Sequence, residues 1–151
     1  MKKIASFTVD HRTITEGMYI SRIDGDVVTY DLRMRKPNQD DLLTHSQMHS
    51  LEHLFATFVR NSPLQDKVIY VGPMGCQTGF YLLMRHDNHA ENLELVKEVM
   101  LAISQYDGEM PGNSEIECGN YRSLDVSEAR KTAKRYYEDI KEKTTEDMRY
   151  N

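Results

Sequence analysis

Between positions 45 and 53 the chain reads His45-Ser46-Gln47-Met48-His49-Ser50-Leu51-Glu52-His53, so three imidazoles recur at intervals of four residues. On a helix, side chains four apart share a face and lie within about 6 Å, close enough for two imidazoles to bind one metal ion. His45 and His53 would stand about 12 Å apart along the axis, too far to share an ion. The pair is therefore His45/His49 or His49/His53. The second is favoured, because His45 falls in the first turn of the helix and His53 in its interior beside Glu52. That carboxylate projects from the same turn and can sit next to a metal as a general base. The bland counterpart is a solvated helix face.

A helical pair leaves an ion short of ligands, and the chain offers two cysteines, Cys76 and Cys118. In a reducing compartment a disulfide between them is not expected; they read as metal ligands or catalytic thiols, or else as two small buried side chains. Cys118, in Glu117-Cys118-Gly119-Asn120, precedes a helix and suits a third ligand. Two His and one Cys leave a coordination position open for water or substrate, as a catalytic site requires. Cys76 sits in Pro73-Met74-Gly75-Cys76-Gln77-Thr78-Gly79, where glycines permit close approach and a turn exposes the thiol. Near a metal such a thiol can act as acid or base. Spacing alone leaves open which sulfur binds and which does chemistry.

These residues need a frame. Met18 to Ile23 and Val27 to Arg35 flank Asp24-Gly25, a hairpin signal. In the second arm Val28, Tyr30, Leu32 and Met34 alternate with Thr29, Asp31, Arg33 and Arg35, giving one apolar and one polar face. Arg33 is thus expected to point away from the core. Thr44 and Gln47 have capping-box spacing ahead of an apolar stripe of Met48, Leu51, Phe55, Phe58 and Val59. Short apolar runs at 68–71 and 80–84 read as strands. Leu93, Val96, Met100 and Ile103 mark a helix, and Asp125 with Glu128 opens a last one reaching about Lys143. The tail after Thr144 reads as polar and frayed. Strands with interspersed helices and few βαβ units predict an α+β fold, a single domain over residues 1–151 with a mainly antiparallel sheet packed against helices.

With 151 residues, 39% hydrophobic and 28% charged, the chain has the composition of an ordinary globular domain. A net charge of −5 without a basic stripe argues against nucleic acid or anionic membrane as partner. The start, with its apolar run broken by Asp10, His11 and Arg12, reads as neither signal peptide nor membrane span, so the expected location is the cytoplasm.

Taken in order, Ser6-Phe7-x-x-Asp10-His11, Asp31-Leu32-Arg33, Lys36-Pro37-Asn38, His49-Ser50-Leu51-Glu52-His53-Leu54, Pro73 to Gly79 and Cys118-Gly119 resemble the S-ribosylhomocysteine lyase (LuxS) family over nearly the whole length. The resemblance implies that His49, His53 and Cys118 hold one divalent transition metal per chain, Fe²⁺ with Zn²⁺ or Co²⁺ as substitutes. It implies Glu52 and Cys76 as the acid/base pair, and Ser6, His11 and Arg33 as substrate-pocket residues reaching the partner's site in a homodimer. The implied reaction cleaves S-ribosylhomocysteine to homocysteine and 4,5-dihydroxy-2,3-pentanedione, the autoinducer-2 precursor of quorum sensing, by carbonyl migration and β-elimination. Two positions depart from the family pattern: Tyr70 stands where an acidic residue is usual and Gly72 where a serine is. They bear on how the amino-acid end of the substrate is held. The alternative is a small H-x-x-E-H zinc metallopeptidase, but those take a carboxylate third ligand, and a thiolate makes zinc a poorer activator of water.

Overall fold

All three helices open on side chains that satisfy their own backbone donors, two of them at the positions the sequence foretells. Thr44 caps α1 (His45–Val59) in a full capping box with Gln47, and Asp125 accepts from the backbone N–H groups of Ser127 and Glu128 to start α3 (Val126–Ile140). Asn88 does the same for α2 (His89–Ser104). The computed structural model describes residues 1–150; Asn151, the last residue of the expected domain, lies outside the described residues.

The strands β1 (Gly17–Asp24), β2 (Val27–Arg33), β3 (Val68–Pro73) and β4 (Gly79–Met84) form one antiparallel sheet in the order β1-β2-β4-β3. The expected α+β architecture is the one observed. The first hairpin differs by a residue: Asp24 pairs with Val27, so the two-residue loop is Gly25-Asp26, with Gly25 at φ +61°. That left-handed position is what the glycine supplies.

Alternation along β2 decides what each face meets. Val28, Tyr30 and Leu32 join Phe80, Leu82 and Met84 of β4 and the apolar stripes of α1, α2 and α3 in one continuous core. The opposite face carries Tyr19, Asp31, Tyr81 and Gly72 in one row across the four strands. Arg33 is on this second face, as expected, yet it is only 3% exposed, and Asp31 only 1%. Arg33 pairs with Asp31 through Nε (3.1 Å) and Nη2 (2.6 Å), and Tyr150 covers them, donating to Asp31 Oδ2 at 2.6 Å while its ring stacks on Tyr19. The expected face is therefore the right one and its burial is what the pattern did not show: alternation reports which face, and a segment over a hundred residues away decides whether that face is wet. Burial is the largest single influence and opposes the Arg33 charge, but its hydrogen bonds to Asp31 and the Asp31 charge together with smaller neighbours outweigh it and raise the pKa.

The tail is docked and not frayed. After α3 a short 3-10 turn (Thr145–Met148) is closed by a capping box between Thr144 and Asp147, and Met148 is fully buried in the core. One methionine in a polar run carries no periodicity, so the sequence hides this anchor. Met148→Ala should cost about 2–4 kcal/mol in urea unfolding and Met148→Leu under about 1.5 kcal/mol. A loss below about 0.5 kcal/mol for the alanine variant would mean the tail does not contribute to the core.

Candidate metal centre

Helix α1 binds the segment after Cys118 at three points. Ser46 Oγ donates to Ser123 O (2.8 Å), Ser50 Oγ accepts from Asp125 N (2.8 Å), and His49 Nδ1 meets Ser123 Oγ at 2.6 Å. The two serines sit on the face that carries His49, so the helix draws the Cys118 loop over its own imidazoles. From the other side the turn at Pro111-Gly112 closes in, and His53 Nδ1 lies 2.8 Å from Pro111 O. Gly112 has φ +70°, and a Cβ there would press on His53 Nδ1 at 3.0 Å, so glycine is needed both for the turn and for the approach.

The outcome is that ligand atoms of His49, His53 and Cys118 lie within 4.8 Å of one another. Cys118 Sγ is 3.4 Å from His49 Nε2, close to the edge of about 3.5 Å that tetrahedral Zn–S and Zn–N bonds would give. The tautomers fit as well. Pro111 O can only accept, so His53 carries its proton on Nδ1 and leaves Nε2 free. Ser123 Oγ donates to Asn120 O at 3.1 Å and thus accepts from His49 Nδ1, with the same consequence. Burial, and then the neighbouring His53 and His45, lower the pKa of His49 and keep it neutral for coordination. His45 stands apart, its Nε2 3.4 Å from the Asn120 side-chain amide. The geometry thus selects the 49/53 pair and Cys118 as the cluster able to hold an ion.

Glu52 and His53 line one open cleft with Ala56, Thr57, Tyr70, Val71, Pro111 and Gly112. Tyr70, 54% exposed, also lines a second opening on the outer sheet face with Ser6, Tyr81 and Leu83. A Cβ on Gly72 would run into the Tyr70 ring, so Tyr70 and Gly72 are sterically coupled. Cys76 is exposed at the β3–β4 turn, its sulfur 2.9 Å from Thr78 Oγ1, and Thr78 accepts from Arg33 Nη1 at 2.9 Å. His11 bonds only to Val9 O, at 2.8 Å. Within one chain, then, His49, His53 and Cys118 converge, Glu52 shares a cleft with His53, Arg33 reaches Cys76 through Thr78, and Ser6 lies near Tyr70; among the described residues no hydrogen bond links Ser6 or His11 to the metal cluster. Ser123, Pro111 and Thr78 were not foreseen, because their roles come from loop contacts that no local spacing encodes.

A small α+β fold with an open His₂Cys cluster beside a carboxylate defines a metal-dependent enzyme class in which one coordination position is left for substrate. The chain belongs to the S-ribosylhomocysteinase (LuxS) family, whose model matches residues 4–147. It is 43% identical to the S-ribosylhomocysteine lyase of Desulfotalea psychrophila over 146 aligned residues, covering 93% of this chain and 92% of that one. The enzyme of the same name from Phocaeicola vulgatus is 42% identical, covering 99% and 97%, and that from Borreliella burgdorferi 36%, covering 99% of each. The peptidase reading of the H-x-x-E-H helix finds no support among these relatives.

Elemental analysis should find about one transition metal ion per chain, lost in His49→Ala, His53→Ala and Cys118→Ala and kept in His45→Ala. Full metal content in Cys118→Ala, or loss in His45→Ala with retention in His53→Ala, contradicts the assignment.

Proposed function

We propose that this chain is a carbon–sulfur lyase that cleaves S-ribosylhomocysteine to homocysteine and 4,5-dihydroxy-2,3-pentanedione. The observation that carries the reading is the approach of His49, His53 and Cys118 to one point, with Glu52 in the cleft that His53 lines and both histidine tautomers tied back to leave Nε2 free. Those three side chains would hold the metal, which supplies a Lewis acid that polarises the sugar carbonyl. The ion proposed is one Fe²⁺ per chain on the strength of the family likeness, with Zn²⁺ or Co²⁺ as substitutes; by affinity alone the donor set favours zinc.

The thioether has no activating group beside it, so the carbonyl must move from C1 to C3 before the bond can break. Glu52 and Cys76 are proposed to move the protons: each shift removes a proton from the carbon next to the carbonyl and returns one to the carbon that bore it. With the ketone at C3, loss of the C4 proton expels homocysteine thiolate from C5. The sum is a redox-neutral elimination, so no organic cofactor is needed.

The active unit is proposed to be a homodimer in the cytoplasm. In support, the outer sheet face is open around Tyr70 and Leu83, and the N-terminal segment beside it exposes Ile4 and Phe7 at 56% and 69%. A two-fold axis would cover this patch on both chains and create two equivalent sites. Ser6 and His11 are proposed to contact the substrate in the partner's site. Arg33 is proposed to act from beneath that surface as a fixed positive charge, a reading supported by its donors to Asp31 and Thr78. No helix among the described residues is long and apolar enough to cross a membrane.

Glu52→Gln and Cys76→Ala should keep metal and substrate binding and lose turnover by a factor of about 10² or more, with ketone intermediates building up. Substantial turnover in Cys76→Ala would make the thiol dispensable and refute its proton-transfer role. For the shared site, inactive Glu52→Gln and His11→Ala chains, exchanged into heterodimers, should regain about half of the wild-type activity, one site being free of both lesions. Heterodimers that stay inactive place His11 in its own chain's site.

A further inference from the structure

Behind Cys76 runs a chain of hydrogen bonds that the reaction scheme leaves unused. Tyr150 donates to Asp31, Asp31 takes two donors of Arg33, Arg33 Nη1 donates to Thr78 Oγ1, and that oxygen lies 2.9 Å from Cys76 Sγ. Asp31, Arg33 and Thr78 are 1%, 3% and 1% exposed, so water does not compete along the run, while Cys76 at its end is open to solvent.

The donors upstream favour one polarity for the last bond. A guanidinium never accepts, so Thr78 Oγ1 must spend a lone pair on Arg33, and its single O–H is left to find an acceptor. Two sulfurs are in reach: Cys76 Sγ at 2.9 Å and Met74 Sδ at 3.8 Å. Distance favours Cys76. So does charge, because the Arg33 cation one bond behind favours electron density on that sulfur. The other titratable neighbour, Tyr81 of β4, has its pKa raised by burial and then by Asp31, and stays a neutral phenol.

We infer that Thr78 is a positioning residue for Cys76, donating its hydroxyl hydrogen to the sulfur and holding the thiol in one orientation at the tip of the β3–β4 turn. The bond holds the exposed sulfur in one orientation, so that a proton donor or an electrophile meets it along one line of approach. This deepens the proposed lyase reading, and rests on it for its effect on turnover but not for its geometry.

The test compares Thr78→Val, Thr78→Ala and Thr78→Ser in the metal-loaded protein. Valine keeps the shape but sets a methyl against Arg33, whereas alanine leaves room for water, so a folding defect in one does not remove the other. The first readout needs no substrate: iodoacetamide alkylation of Cys76 at pH 7, followed by mass analysis of its peptide. Losing the hydrogen bond frees the sulfur to leave that orientation, and alkylation should slow about fourfold. Thr78→Ser should restore the rate to within about twofold of the parent. With S-ribosylhomocysteine the hydroxyl-free variants should lose kcat at unchanged KM, and the serine variant should recover most of it. Parent-like alkylation in Thr78→Val or Thr78→Ala overturns the inference, as does equal slowing in Thr78→Ser. If the parent releases no homocysteine, the lyase reading fails while the alkylation series still decides the role of Thr78.

Discussion

A carbonyl oxygen can only accept, and that fixes the metal centre. Because Pro111 O holds the Nδ1 proton of His53, and Ser123 holds that of His49, both imidazoles turn Nε2 toward Cys118. Neither partner is on the helix that carries the histidines. Each comes from a loop that must be brought back to α1, one by the glycine turn at 112 and the other by Ser46 and Ser50. The helix supplies the spacing, and the loops supply the tautomers. Two histidines four apart without those loops would be a solvated face.

The second constraint is the division of the sheet. One face of β2 is apolar and packs under the helices; the other buries an ion pair beneath Tyr150. A buried pair contributes little net stability, since desolvation offsets the Coulomb gain, but losing one partner leaves a bare charge at about 3–5 kcal/mol. Asp31 and Arg33 are therefore held to each other and to the geometry around them. That rigidity reaches the β3–β4 turn through Thr78, so the Cys76 thiol on its loop inherits the order of the sheet. Burial also keeps Tyr150 neutral, its pKa raised well beyond the usual phenol value, so it remains a donor to Asp31.

Local chemistry was legible in the sequence where the signal is local. The Thr44/Gln47 capping box, the Asp125 cap, the first hairpin and the H-x-x-E-H face all appear in the structure near their expected places. The hairpin slipped by one residue because Asp24-Gly25 and Gly25-Asp26 are both plausible turns, and the pairing of Asp24 with Val27 chose between them. What stayed hidden depends on long-range contacts. Asn120 draws His45 aside, Met148 plugs the core, and Tyr150 dries the outer face over Arg33. Alternation predicted the side on which Arg33 lies but had no way to predict its cover.

The most direct measurement of the central claim is thiol release from S-ribosylhomocysteine by the purified chain, with its metal in place, after chelation, and after return of Fe²⁺ or Zn²⁺. The account predicts homocysteine formation that disappears with the metal and returns with it, and no cleavage of a peptide offered alongside. A protein holding one ion per chain that releases no homocysteine, or that hydrolyses the peptide instead, would contradict it.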